Sequence, residues 1–201
     1  MDFTKVEKAL RGRGFAVSVF QTKEEAASYL NTRIDGTSVG FGGSVTMRQM
    51  GLYDSLGAHN QVWSHWDGPE GKTEDEIRGE AARTEVYLSS VNGLAETGEL
   101  INIDGTGNRA AGTMYGHKRV FLVVGRNKLA PTYDDALWRA RNIAGPKNAV
   151  RLNRKTPCAV RGDRCYDCKS PDRICRGLVV LWGPMRGSET EVVLINEDLG
   201  Y

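Results

Sequence analysis

The chain has 201 residues, 27 basic and 25 acidic side chains, and a net charge of +2. That length suits one domain whose core folds without disulfide staples. Hydrophobic residues at 40% and charged residues at 26% exclude a disordered chain, and so near-neutral a balance speaks against a general nucleic-acid binder. No apolar run approaches the roughly 18 residues that a membrane span needs. The first residues, MDFTKVEKALRGRG, lack the apolar stretch of a secretory signal. The expected partners therefore include neither nucleic acid nor membrane, and the expected compartment is the cytoplasm.

Residues 2–10 carry helical spacing, with Phe3, Val6 and Leu10 on one side and Gly12 and Gly14 beyond them. Residues 15–20 alternate as a strand. Thr22 is a predicted helix cap, with Glu25 three residues on, for a helix to about Arg33. A short strand at 37–41 leads through Gly42-Gly43-Ser44 into a helix at 45–56. A strand follows at 61–66, an acidic helix at 73–84 and a strand at 86–91. Residues 100–104 read as a strand running into Gly105-Thr106-Gly107-Asn108-Arg109 and a helix to about Tyr115. The continuous apolar run at 120–125 fits a central strand covered on both faces. A helix at 134–144, with Leu137 and Trp138 as core, precedes strands at 178–182 and 191–196. Strands separated by helices imply βαβ units and a mostly parallel sheet. The expected fold is a three-layer α/β/α Rossmann-like domain over 1–201, with a cysteine-rich insertion at 158–175.

Glycine is the compositional outlier: 24 of 201 residues, where roughly 7% is usual. Two glycine turns sit between a strand and a helix. In the first, Gly42 and Gly43 leave backbone N–H groups able to face an anion, and Ser44 and Thr46 add hydroxyl donors. Neither a Walker ending nor a clean GxGxxG is present. In the second, Asp104 precedes Gly105, Thr106, Gly107 and Asn108, and Arg109 offers a bidentate partner for a carboxylate or phosphate. Both turns would lie at the carboxyl ends of strands, where open sheets bind ligands. Between them, Asn92 and Glu96 follow a strand end. Glu96 reads either as a base or nucleophile over the crevice or as a solvated turn residue, and Asp104 is the second candidate carboxylate. His59, His65 and His117 read as packing or surface residues.

All four cysteines fall within 18 residues: Cys158, Cys165, Cys168 and Cys175, spaced x6-x2-x6 around a CxxC. A reducing compartment argues against disulfides. The spacing points to a four-thiolate metal centre, a 4Fe–4S iron–sulfur cluster ahead of zinc, since one CxxC and two flanking cysteines suit a cluster and zinc sites usually draw on paired knuckles. Arg161, Arg164, Lys169, Arg173 and Arg176 crowd the segment, a setting that favours thiolates. A set of metal-free thiols is the alternative.

Four stretches together resemble one family: VGFGGSVTMRQMGLYDSL at 39–56, YLSSVNGLAETGELINIDGTGNRAAGTMYG at 87–116, KRVFLVVGRNKLAPTYDDALWRARNIAGPKNAVRL at 118–152, and the TPC and CYDCKSPDRIC segment. They look like the LUD, or lactate-utilisation, domain family. The resemblance implies a Rossmann-like fold in a class that includes pentose-phosphate isomerases, amino-sugar-phosphate deaminases and CoA transferases. It implies a small anionic ligand on the glycine turns, in lactate or related hydroxy-acid use, and iron–sulfur or oxidoreductase subunits as partners. Two rival functions stand beside it. One is a non-enzymatic electron-transfer or assembly subunit whose working part is the cysteine segment. The other is an isomerase or CoA-transferase-like enzyme using Glu96 or Asp104.

Overall fold

Two sheets organise the chain, and their strands alternate with helices for most of its length. The computed structural model describes residues 2–201. The first half runs α1 (Thr4–Gly12), β1 (Ala16–Phe20), α2 (Lys23–Arg33), β2 (Ser38–Phe41), α3 (Val45–Gln49), α4 (Leu52–Gly57), β3 (Gln61–Trp63), α5 (Glu74–Ala81) and β4 (Val86–Ser89). Then come β5 (Gly93–Ala95), β6 (Leu100–Asp104), α6 (Asn108–Met114), β7 (Arg119–Gly125), β8 (Leu129–Ala130) and α7 (Tyr133–Arg139). The chain ends with α8 (Gly145–Arg151), α9 (Pro157–Arg161), β9 (Gly177–Leu181) and β10 (Glu189–Ile195).

The main sheet has the order β1-β10-β7-β4-β2-β3, with every pairing parallel. Its centre is β7, buried from Val120 to Gly125. Phe121 and Val123 face a core shared with Leu88, Val193, Ile195 and the apolar sides of α2, α3 and α4. Val120, Leu122 and Val124 face the opposite core, formed with Val6 and Leu10 of α1 and with Leu94, Leu100 and Leu181 of the second sheet. Each such side chain taken fully out of water contributes roughly 1.5–3 kcal/mol. The expected layered α/β fold with a mostly parallel sheet is the one observed.

Two helix starts follow their sequence signals closely. Thr22 and Glu25 form a reciprocal capping box on α2, and Thr73 and Glu76 form one on α5. The predicted helix at 45–56 is instead two, because Gly51 takes the left-handed conformation at φ 64° and turns the chain. The predicted helix at 134–144 continues to Arg151. A π turn over Ala140–Ala144 joins α7 to α8, and Pro146 sits in the first turn of α8, where its missing N–H costs little.

A second sheet, β8-β5-β6-β9, was not legible in the sequence. It places the strand ending at Asp104 outside the main sheet, antiparallel to β9, with Asp104 opposite Gly177. Ala95, Ile101 and Ala130 of this sheet pack on Ala136 and Ala140. Trp138, expected in the core, is 59% exposed, because α7 turns its small residues inward. No helix among the described residues is long and apolar enough to cross a membrane.

Candidate functional site

The two glycine turns meet at one crevice where the main sheet abuts the second. Two adjoining hollows, of about 80 and 120 Å³, share Gly43, Trp66, Asn92, Arg109, Asn148 and Arg151. Ser44 and Thr46 line the first hollow, and Asp104, Gly105 and Asn108 the second. Eight of the sequence candidates are thus brought together. Gly42, Thr106 and Gly107 do not line it. Glu96 is also absent: it lies in the β5–β6 turn, where its Oε2 is 2.6 Å from Lys5 Nζ.

Two of the turn glycines, Gly42 and Gly107, give their N–H groups to the protein itself. The Gly42 N–H donates to Leu88 O at 3.1 Å, so it belongs to the sheet. A Cβ on Gly42 would lie 2.8 Å from Arg109 Cγ, so this glycine makes room for the arginine stem. The Gly107 N–H donates to Asp104 Oδ1 at 3.1 Å. Gly105 lets the second turn approach the cysteine segment, since a Cβ there would lie 2.6 Å from Ile174 O.

Arg109 also departs from its expected role as a bidentate fork. Its Nη1 donates to Ser90 O at 3.2 Å and to Asn102 Oδ1, and its Nη2 to Asn92 Oδ1 at 3.0 Å and Ile103 O at 2.6 Å. Four neutral acceptors therefore use all four of its terminal N–H bonds. Asn92 is a clamp in this network, its Oδ1 also accepting from Ile103 N at 2.7 Å. Asp104 accepts from Gly107 N and, at 2.8 Å, from Ala110 N. Burial pushes its carboxyl up, but Arg109 and these N–H groups outweigh burial and hold it below the ordinary carboxylate value.

The residue that sequence reasoning missed is Lys128, at the floor of the first hollow and only 3% exposed. Its Nζ donates to Thr46 Oγ1 at 2.9 Å and to Ser90 Oγ at 2.6 Å. Burial, reinforced by Arg139 and Arg109, holds this amine well below the ordinary lysine value. Its place directly after the central strand β7 was the available signal, since ligands gather at carboxyl ends of parallel strands. Arg151 was missed as well. Its Nε and Nη2 donate to Asn148 Oδ1 at 3.0 and 2.8 Å, and its guanidinium lies 4.8 Å from the Trp66 ring centre. Arg139 is buried below, donating to Asn127 O and Asn92 O, both at 2.6 Å.

All four cysteines line a neighbouring cavity of about 260 Å³, and Cys175 borders the crevice too. None is in a disulfide. N–H groups point at two of the sulfurs: Asp167 N lies 3.4 Å from Cys165 Sγ, Arg141 Nη2 3.8 Å from the same atom, and Arg173 Nη2 3.7 Å from Cys175 Sγ. Among the described residues no three or more His, Cys, Asp or Glu side chains gather as a metal-holding group. The histidines fall where packing was expected. His59 contacts Asp35 at 2.8 Å, and His117 stacks on Tyr87. Burial, with Arg78 adding to it, lowers His65, so a neutral ring lies beside Gly43.

A parallel sheet with a polar crevice at its strand ends and a second small sheet closing one side defines a Rossmann-like α/β protein. The chain belongs to the LUD domain family, whose family model matches residues 3–195, a family that suggests a lactate-utilisation-type protein. It is similar to a solved duf162 family protein from Deinococcus radiodurans, at 13% identity and a TM-score of 0.54, over 97% of this chain and 99% of that one. That likeness concerns the fold. No curated protein matches the chain.

Proposed function

We propose that the crevice binds a small anionic metabolite, a carboxylate or phosphate compound of lactate or related hydroxy-acid metabolism, in the cytoplasm. The observation that carries this reading is the charge balance of the lining. Arg109 and Arg151 line both hollows, and Asp104 is the one acidic side chain among the lining residues. That carboxylate is already engaged by Arg109 and backbone N–H groups. Cations enclosed by low-dielectric walls favour an anion strongly. The combined hollows suit a ligand of a few heavy atoms. Calorimetric titration with lactate, pyruvate and inorganic phosphate tests the proposal. Saturable one-site binding, weakened by salt, is expected for at least one of them. Silence across the three, with an unchanged melting temperature, would contradict it.

The second part of the proposal concerns Cys158, Cys165, Cys168 and Cys175. Their free thiols share one cavity, and the N–H donors at Cys165 and Cys175 suit thiolates. One CxxC with two flanking cysteines suits an iron–sulfur cluster ahead of zinc, whose sites usually draw on paired knuckles. Such a group, when bound, would carry an electron, and an oxidoreductase subunit would be its partner. Metal analysis of protein purified without oxygen tests this reading. Brown protein with about four irons per chain supports the cluster, and colourless protein with one zinc supports the alternative.

A further inference from the structure

We propose that Lys128 is a nucleophile, forming a covalent imine with the carbonyl carbon of a short 2-oxo acid held in the crevice. The inference rests on reading the crevice as an anion site and names the class of anion. Three observations lead to it. The Ser90 hydroxyl gives its own proton to Val123 O at 2.6 Å, so toward Lys128 its oxygen accepts. Thr46 Oγ1 accepts the second N–H. Two hydrogens of the amine are therefore matched, and the remaining position on Nζ, the lone pair in the neutral form, has no hydrogen-bond partner within the protein.

The second observation is that no carboxylate side chain among the described residues pairs with Nζ, whose partners are the Thr46 and Ser90 hydroxyls. The charged groups acting on Lys128 are Arg139 and Arg109, both cations. Together with burial they favour the unprotonated form, which is the nucleophilic one. The third is the setting for the acid group. Asn148 uses only Nε and Nη2 of Arg151, which leaves Nη1 for a carboxylate on the same small molecule. A 2-oxo acid carries a carboxylate next to its electrophilic carbon, and Lys128 and Arg151 both line the first hollow, of about 80 Å³.

The step balances without an outside reagent. The lone pair of Nζ attacks the carbonyl carbon, and the π electrons of the C=O bond move to oxygen. That oxygen takes one amine proton to give a carbinolamine. The C–O bond then breaks, a C=N bond forms, and the oxygen leaves as water with both amine hydrogens. The hydroxyls of Ser90 and Thr46, already bonded to Nζ, are placed to pass those protons.

The test uses the intact protein, pyruvate and sodium cyanoborohydride, with intact-mass and peptide-mass readouts. The expected result is one adduct per chain on Lys128, heavier by one pyruvic acid less one oxygen atom. It should form at least about tenfold faster than adducts on surface lysines, whose amines are protonated at neutral pH. Lactate, which has a hydroxyl in place of the carbonyl, should give none, and K128M should lose the fast adduct. Adducts spread over surface lysines, equal in wild type and K128M, would overturn the proposal. Calorimetry on the same sample separates the two readings. Heat of pyruvate binding without a Lys128 adduct removes the imine and leaves the anion site, whereas neither heat nor adduct removes both.

Discussion

The crevice and the cysteine cavity adjoin each other and are built in opposite ways. The crevice draws Thr46, Ser90, Arg109, Lys128 and Arg151 from segments scattered along the chain, and most of its polar atoms are satisfied within the protein. The cysteine cavity takes its four sulfurs from one short stretch, all of them half-buried. The first is an outgrowth of the core, so its geometry is held by the sheet. The second lies on α9 and the irregular chain before β9, held by side-chain bonds such as those of Arg173 to Cys168 O and Cys175 O. Polar groups fixed by a packed scaffold are preorganised for a ligand.

The largest expected effect breaks the second region alone. C168S removes a thiolate of the central pair and should abolish metal binding. The anion titration and most of the thermal stability should persist, because the main sheet is built from other segments. Iron and zinc analysis beside a melting curve checks it. Loss of the whole fold would show that the two regions are not separable.

G105A attacks the place where the regions touch. The new Cβ would meet Ile174 O at 2.6 Å, a backbone clash that overpacking data put at roughly 1–3 kcal/mol. Chemical denaturation should show that loss, and both metal content and anion affinity should fall together. A fall in only one of them would show that the contact does not couple the regions.

K128M sharpens the comparison from the crevice side. It should abolish the reducible pyruvate adduct yet leave the chain as stable as before, or more so by roughly 1 kcal/mol, because a buried amine with no carboxylate side-chain partner is replaced by an apolar chain. The hydroxyls it leaves keep partners, since Ser90 still donates to Val123 O. The sign with pH follows from the lowered folded value. Between that value and the unfolded value of about 10.4 the unfolded chain holds the extra proton, so wild-type stability rises with pH across this window. The advantage of K128M should therefore be widest near neutral pH and shrink toward about pH 10, as read from paired melting temperatures.

Local and contiguous signals were readable in the sequence. The apolar run of β7, the capping boxes at Thr22 and Thr73, and the cysteine spacing all report on neighbours in the chain. What failed to show is set by distance or brevity. Strands β5 and β8 have three and two residues, too few for any period. Asp104 looked like the end of a parallel strand, because only pairing partners reveal that β6 runs antiparallel to β9. Arg109 was visible, but its four acceptors come from Ser90, Asn92, Asn102 and Ile103, and only the folded chain shows that they exhaust its donors. Lys128 carried no motif at all. Glu96 read either as a crevice carboxylate or as a solvated turn residue, and only the folded chain shows it paired with Lys5 from the far end of the sequence and outside both hollows.

The central claim is that the anion sits in the crevice and not on the basic cysteine segment. Arg151 and Arg161 make a matched pair for testing it, since both are exposed and each lies against an aromatic ring, Trp66 and Tyr166 respectively. Calorimetric titration of R151E and R161E with the anion that binds wild type is the measurement. The account predicts at least about a tenfold loss of affinity in R151E and wild-type affinity in R161E. Wild-type affinity in R151E with a loss in R161E would place the ligand on the cysteine segment and contradict the account.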